Sequence, residues 1–153
     1  MSSEKLEAGT LTTMASTELN SLANNAAALG SVVFDNAADL WPFAQFELTV
    51  TFGSAPTANY TIDLYLIPSI DGTNYDDAVT GANGTAPATS YAGAFPLRAI
   101  TTIQRVPLGI GGQAGRIELP PSKFKILAVN KSGAAMPSSG SLIKMQPYRR
   151  QIV

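Results

Sequence analysis

The clearest alternation of hydrophobic and polar residues along the chain begins at Phe46. From there to Phe52 every second residue is hydrophobic, with Leu48 and Val50 between the two phenylalanines, and the intervening residues are Glu or Thr. A period of two places one face of a β-strand on a core and the other face in water. This segment therefore predicts a half-buried strand.

A second alternating segment runs from Tyr60 to Ile67, and its second face is less polar. The even-numbered positions from 60 to 66 are hydrophobic, and the odd-numbered side carries Tyr65 and Ile67 beside two polar residues. We therefore expect another part of the chain to cover that second face. Residues 53–59 make a connection too long for a two-residue hairpin, whereas Asp71-Gly72 is typical of a tight turn.

Shorter strand-like runs occur in the remainder of the chain, separated by segments rich in Gly, Pro, Ser and Asn. They are predicted at residues 31–34, 98–106, 116–119, 123–129 and 142–145. Because strands do not alternate regularly with helices, the fold class predicted is all-β, an antiparallel β-sandwich of jelly-roll-like topology.

Three segments depart from the strand pattern. Residues 1–15 predict an N-terminal arm, because Met1 to Thr13 has no hydrophobic period, and residues 16–153 predict a single β-sandwich domain. Ser16 to Leu29 has weak helical spacing and predicts one short helix that stops at Gly30. Asp76 to Phe95 is rich in Gly, Ala, Thr and Pro, which predicts a long surface loop.

Composition limits the classes of partner. The charged fraction of 14% is below the typical value of about 25%, and the net charge of −1 argues against a general binder of nucleic acid or membranes. The N-terminal residues lack the apolar core of a secretory signal, and no apolar run reaches the roughly 18 residues of a membrane span. We expect a soluble protein with neither nucleic acid nor membrane as a partner.

The net charge conceals an uneven distribution. Met1 to Leu97 contains ten acids and one base, a charge of −9, whereas Arg98 onward contains nine bases and one acid, a charge of +8. Either early and late strands pair and mix their charges over one surface, or opposite faces carry opposite signs and favour contact between copies or with a charged scaffold.

The sequence offers little catalytic chemistry. It has neither His nor Cys, so Ser–His and Cys–His nucleophile pairs and His-ligated zinc sites are excluded. The acids Asp71, Asp76 and Asp77 form the one cluster, for which ordinary turn chemistry is favoured over a calcium site or a glycosidase pair. We predict no catalytic residue, no metal and no cofactor.

Two other patterns have a simple structural interpretation beside a functional one. GIGGQA at Gly109 to Ala114 matches a dinucleotide fingerprint formally, but Pro120 and Pro121 end the following extended run, so an inter-strand loop is favoured. Aromatic residues in or beside loops could form a sugar-binding platform, or they could close the core and cap turns: Trp41, Tyr75 and Tyr91.

The stretch from Phe34 to Asp77 resembles small virion structural proteins of tailed bacteriophages, especially head decoration or cement proteins. The resemblance lies in F-D-N-A-A-D-L-W, then F-E-L-T-V-T-F-G-S-A-P-T, then Y-T-I-D-L-Y-L-I-P-S-I-D-G-T-N-Y-D-D. It implies a jelly-roll-like sandwich, commonly a homotrimer, located on the capsid exterior where major capsid protein subunits meet. The resemblance contains no functional motif that could be transferred residue by residue to this sequence.

Two functions are therefore expected. The first is a non-enzymatic capsid decoration protein that binds the major capsid protein as a homo-oligomer, with contacts from the arm, the 76–95 loop and four arginines: Arg98, Arg105, Arg149 and Arg150. The alternative is a tail-fibre or surface module that binds glycans through Trp41, Tyr75 and Tyr91.

Overall fold

The computed structural model describes residues 4–75, 80–82, 84–87, 90–109 and 116–152. Within them the chain forms eleven strands and one 3-10 turn, Thr17–Leu19. The strands are β1 (Glu4–Ala8), β2 (Thr12–Ala15), β3 (Ala27–Leu29), β4 (Phe34–Asp35), β5 (Phe43–Val50), β6 (Thr61–Ser69), β7 (Tyr91–Pro96), β8 (Gln104–Leu108), β9 (Ile117–Glu118), β10 (Lys123–Lys131) and β11 (Leu142–Ile152).

The strands make two antiparallel sheets. Sheet I has the order β1-β11-β5-β8, with β2 also on β11 and β9 on β5, and sheet II has the order β3-β10-β6-β7, with β4 on β10. Without the short β1, β4 and β9, the orders are β2-β11-β5-β8 and β3-β10-β6-β7. This interleaving of eight strands in two sheets is that of a jelly roll, so the predicted fold class is confirmed.

The two long alternating segments form the central strands of opposite sheets. In sheet I, Leu48 of β5 lies between Ile143 of β11 and Val106 of β8, and in sheet II, Leu64 of β6 lies between Ala128 of β10 and the small residues of β7. The connection over residues 51–60 therefore crosses between sheets instead of closing a hairpin.

The core fills the space between the sheets. Most inward positions of the long strands are buried, and the largest fully buried side chains of the core are phenylalanines: Phe46, Phe52, Phe95 and Phe124. Each fully buried side chain of this size contributes about 1.5–3 kcal/mol relative to an exposed one.

The outward face of sheet II is also covered, as the second face of β6 predicted. Ile67, Leu127 and Val129 are buried there in a small separate cluster. Tyr75 and Ala86 pack against this cluster, and Gly81 bridges to the edge strand β3. The chain following β6 therefore folds back over its own sheet.

The helix predicted over Ser16 to Leu29 is reduced to a single turn. Only Thr17–Leu19 is helical, as a 3-10 turn, and the end of the segment is strand β3. Ser21 and Asn25 have positive φ angles of 54° and 63°, which an α-helix does not tolerate. The helically spaced Leu19 and Leu22 are buried nonetheless, because irregular chain places them on the core.

Other boundaries also differ from those predicted. The end of the 76–95 loop is strand β7, whose small residues give no hydrophobic period but pair with β6. The 98–106 strand begins only at Gln104. The buried Gln104 side chain accepts a hydrogen bond from the Arg98 N–H and donates one to the Arg98 C=O, both at 2.9 Å. These two bonds close residues 98–104 into a loop. The 31–34 and 116–119 runs shorten to the two-residue strands β4 and β9.

Candidate protein interface

Both ends of the described chain meet in one antiparallel ribbon. β1 pairs along its length with the last five residues of β11, from Ala8 opposite Tyr148 to Glu4 opposite Ile152. β5 accompanies β11 only as far as Tyr148, so no described strand flanks β11 on that side beyond this point. We call β1 with Tyr148–Ile152 the terminal ribbon. The predicted arm is thus extended and lies on the last strand of its own chain.

On the core-side face of the terminal ribbon, the guanidinium of Arg149 lies over the ring of Trp41. Arg149 Nε donates a 2.8 Å hydrogen bond to the carboxylate of Glu7, and its guanidinium lies 4.6 Å from the centre of the Trp41 ring. The hydrogen bond lowers the pKa of Glu7 and raises that of Arg149. A Cβ on Gly9 would lie 2.8 Å from Pro147, so glycine permits this close packing.

The opposite face of the terminal ribbon continues the outward face of sheet I and is partly apolar. Leu6 and Ile152 are 70% and 75% exposed, and Leu11 is 56% exposed. Phe43 and Tyr148 pair across β5 and β11 with ring centres 5.7 Å apart. Among the described residues no segment covers this face, in contrast to the outward face of sheet II.

Two shallow grooves cross this face. One, of about 330 Å³, runs beside the terminal ribbon and is lined by Leu6, Ala8, Tyr148, Arg116 and Arg150 with three neighbours. The other, of about 200 Å³, lies between Leu11, Pro107 and the polar residues of β5 and β11. Both include Gln45, which donates to Gln146 at 2.9 Å, so they form one surface. We call it the sheet I face.

The structure separates the four arginines proposed as contacts. Arg105 and Arg150 belong to the sheet I face, opposite Thr49 and Leu6 respectively. Arg149 lies on the core side beneath the ribbon, and Arg98 is exposed in the loop that Gln104 closes.

Ion pairs connect the acidic first part of the chain with its basic second part. Arg149 contacts Glu7 at 2.8 Å, Arg150 contacts Glu4 at 3.4 Å, and Lys123 contacts Asp35 at 3.8 Å. Each pair joins two paired strands, so early and late strands mix their charges. All three are partly exposed, and such pairs contribute little stability, typically about 0–1 kcal/mol each.

The three aromatic residues of the glycan hypothesis do not share one surface. Trp41 is only 9% exposed and belongs to the main core. Tyr75 packs on the outward face of sheet II, with Lys125 Nζ 4.6 Å from its ring centre. Tyr91 is 53% exposed, makes an edge contact with Tyr65 at 5.3 Å and borders an open groove of about 620 Å³.

The acidic cluster is only partly described, since Asp76 and Asp77 lie outside the described residues. The carboxylate of Asp71 bonds within its own turn. It accepts hydrogen bonds from the backbone N–H groups of Asn74 and Thr73 at 2.7 and 2.8 Å. These bonds, with those from the Asn74 and Ser69 side chains, lower the pKa of Asp71 well below its usual value. Within the described part of the chain, no three acidic groups lie close enough to hold a metal ion.

The GIGGQA segment is described only at Gly109, which follows β8 with a φ of 85°; residues 110–115 lie outside the described part. Sequence reasoning missed the apolar residues of the sheet I face. The available signal was Leu6, an isolated leucine within the charged segment EKLEA. A β-strand would direct its side chain to the face opposite Lys5 and Glu7.

Comparison with known proteins adds one structural likeness. No protein-family model and no curated protein matches the chain. It is similar to a solved chain of turnip yellow mosaic virus, with 12% sequence identity and a TM-score of 0.31, over 99% of this chain and 80% of that chain. A likeness at this score carries no argument about function. Among the described residues, no helix is long and apolar enough to cross a bilayer.

Proposed function

We propose that this protein is a non-enzymatic structural component of a tailed-phage virion, which binds the outside of a shell of major capsid protein as a homo-oligomer. The jelly-roll strand order supports a virion role by analogy, since viral capsid proteins are one of the classes that use this fold. Because a fold hosts many functions, the binding part of the proposal depends on the surface.

The sheet I face, which no described segment covers, is the observation that carries the proposal. The molecule covers the outward face of sheet II with its own chain but leaves Leu6, Leu11 and Ile152 more than half exposed on the other sheet. Exposed apolar groups rimmed by polar residues favour contact with another protein. Arg105 adds positive charge suited to an acidic neighbour, whereas Arg150 contacts Glu4 at 3.4 Å and Lys144 stands opposite Glu47.

The proposed mechanism is clamping. Each copy buries part of its sheet I face against the shell, so separating shell subunits also breaks these contacts. When several linked copies bind together, weak individual contacts sum to firm attachment. The glycan-binding alternative keeps the support of Tyr91 beside its groove, whereas Trp41 is buried and Tyr75 faces its own sheet.

The proposal predicts that purified protein binds saturably to empty tailed-phage shells lacking their decoration protein. Leu11→Glu, which places a charge in the contact, should weaken this binding at least tenfold, a change of about 1.4 kcal/mol. The matched control is Ile70→Glu, because Ile70 is 98% exposed and follows β6 of the other sheet. Co-sedimentation with shells measures both. Absence of binding, or equal binding of Leu11→Glu, would overturn the proposal.

A further inference from the structure

Strand β1 has one free edge, and its geometry shows which backbone groups point outward. No described strand pairs with β1 on the side away from β11. Gly9, which stands opposite Pro147, donates its N–H to the Pro147 carbonyl at 2.8 Å. Hydrogen-bonded pairs alternate along an antiparallel ladder, so Glu7 and Lys5 also bond to β11. The N–H and C=O groups of Glu4, Leu6 and Ala8 therefore point to the free edge.

The free edge of β1 is complementary to itself in one register. An antiparallel copy centred on Leu6 would place Leu6 opposite Leu6, Glu4 opposite Ala8 and Lys5 opposite Glu7. Every outward N–H and C=O would then meet a partner, and each opposed charge pair would be of opposite sign. Registers centred on Lys5 or Glu7 would oppose two lysines or two glutamates and leave part of the strand unpaired.

We infer that two copies of this chain join through their β1 strands, about a two-fold axis that passes through Leu6. The contact is isologous, as in most homodimers, and it would extend sheet I of one copy into sheet I of the other. Lys5 and Glu7 occupy the non-hydrogen-bonded position of the new pair, where side chains approach most closely. Glu7 would then lie between Arg149 of its own chain and Lys5 of the partner copy.

The same contact covers exposed apolar surface. Leu6 and Ile152 lie on one face of the terminal ribbon, diagonal to each other across β1 and β11. In the joined ribbons the two Leu6 side chains become cross-strand neighbours, with an Ile152 on either side. A charged edge often serves to prevent strand pairing, but the Lys5 and Glu7 charges attract an antiparallel copy instead of repelling it.

The proposal does not depend on the virion role. A two-fold contact closes at two copies, so it predicts a dimer, whereas the phage resemblance implies a trimer. Shell binding therefore does not enter its test. The full chain should sediment as a dimer that dissociates on dilution over about two decades of concentration, because association follows mass action.

Leu6→Pro is the decisive variant. Because the Leu6 N–H points away from β11, proline at this position removes an outward donor without removing a bond of the ribbon. We expect a monomer with an unchanged circular dichroism spectrum. The control Leu6→Thr keeps the N–H and should still dimerise. Lys5→Glu would place a glutamate opposite Glu7 of the partner copy on each side of the axis. It should raise the dissociation constant of the dimer at least tenfold. This variant provides the test if Leu6→Pro fails to fold.

The outcomes that overturn the inference are distinct from those for the shell. A wild-type protein that stays monomeric at the highest concentration excludes the contact. If the Leu6→Pro variant folds and still forms an oligomer of any size, the copies assemble through another surface. If Leu6→Pro does not fold, unchanged association of Lys5→Glu likewise excludes pairing through β1.

Discussion

Asn36 fixes the segment that carries Trp41, and its removal should destabilise the fold measurably. Its side chain is 1% exposed. Nδ2 donates to the carbonyls of Trp41 and Pro120 at 2.9 and 2.8 Å, and Oδ1 accepts the Trp41 N–H at 2.8 Å. The residue thus ties Trp41, on which Arg149 of the terminal ribbon stacks, to the chain that follows β9.

The expected loss follows from these three hydrogen bonds. Each contributes about 0.5–1.5 kcal/mol net, and a buried group left unpaired costs more, so Asn36→Ala should lower the free energy of unfolding by about 3 kcal/mol. For a domain of this size that corresponds to roughly 6–12 °C in the melting temperature. Asn24→Ala is the control, because the exposed Asn24 side chain accepts one hydrogen bond within the described part of the chain, from the Gly133 N–H, and its loss should cost less than about 1 kcal/mol.

Urea unfolding monitored by tryptophan fluorescence is the appropriate assay, since Trp41 is the single tryptophan of the chain. Asn36→Asp provides the sharper comparison. It keeps the acceptor for the Trp41 N–H but directs a carboxylate at two carbonyl oxygens, so at neutral pH it should be at least as unstable as Asn36→Ala. A variant Asn36→Asp as stable as the wild type would contradict the role given to these hydrogen bonds.

Two further perturbations test the core and the N-terminal turn. Phe124→Ala, on the inward face of β10 with no exposed surface, should cost about 3–5 kcal/mol in urea unfolding. Ile70→Ala, at 98% exposure, should stay within about 0.5 kcal/mol, and similar losses for both would contradict the core assignment. Burial raises the pKa of Glu18, but hydrogen bonds from Ser31 and Ser16 outweigh it and lower that pKa to about 2. Its contribution to stability is thus complete above its ordinary value of 4.5 and is lost as pH falls toward about 2. Unfolding midpoints of the wild type and Glu18→Gln should converge on acidification, and parallel curves would show that Glu18 makes no such contribution.

The candidate interface was only partly predictable from sequence. Clusters of charge indicated Arg105 and Arg150, which do lie on the sheet I face, but they equally indicated Arg149 and Arg98, which lie elsewhere. Leu6 and Ile152 became meaningful only when β1 and β11 paired. A single exposed leucine in a charged segment predicts nothing until its neighbours across the strand are known.

The faces of the long strands, in contrast, could be assigned from the order of residues alone. Alternation around Leu48 and Leu64 identified strands β5 and β6 and their buried sides, and the apolar second face of β6 indicated a cover that Tyr75 and Ala86 provide. That β5 and β6 belong to different sheets, and that the first strand pairs with the last, emerged only from the folded chain. Alternation records which side of a strand meets the core, whereas strand partners are chosen by hydrogen bonds and packing between segments far apart in the chain.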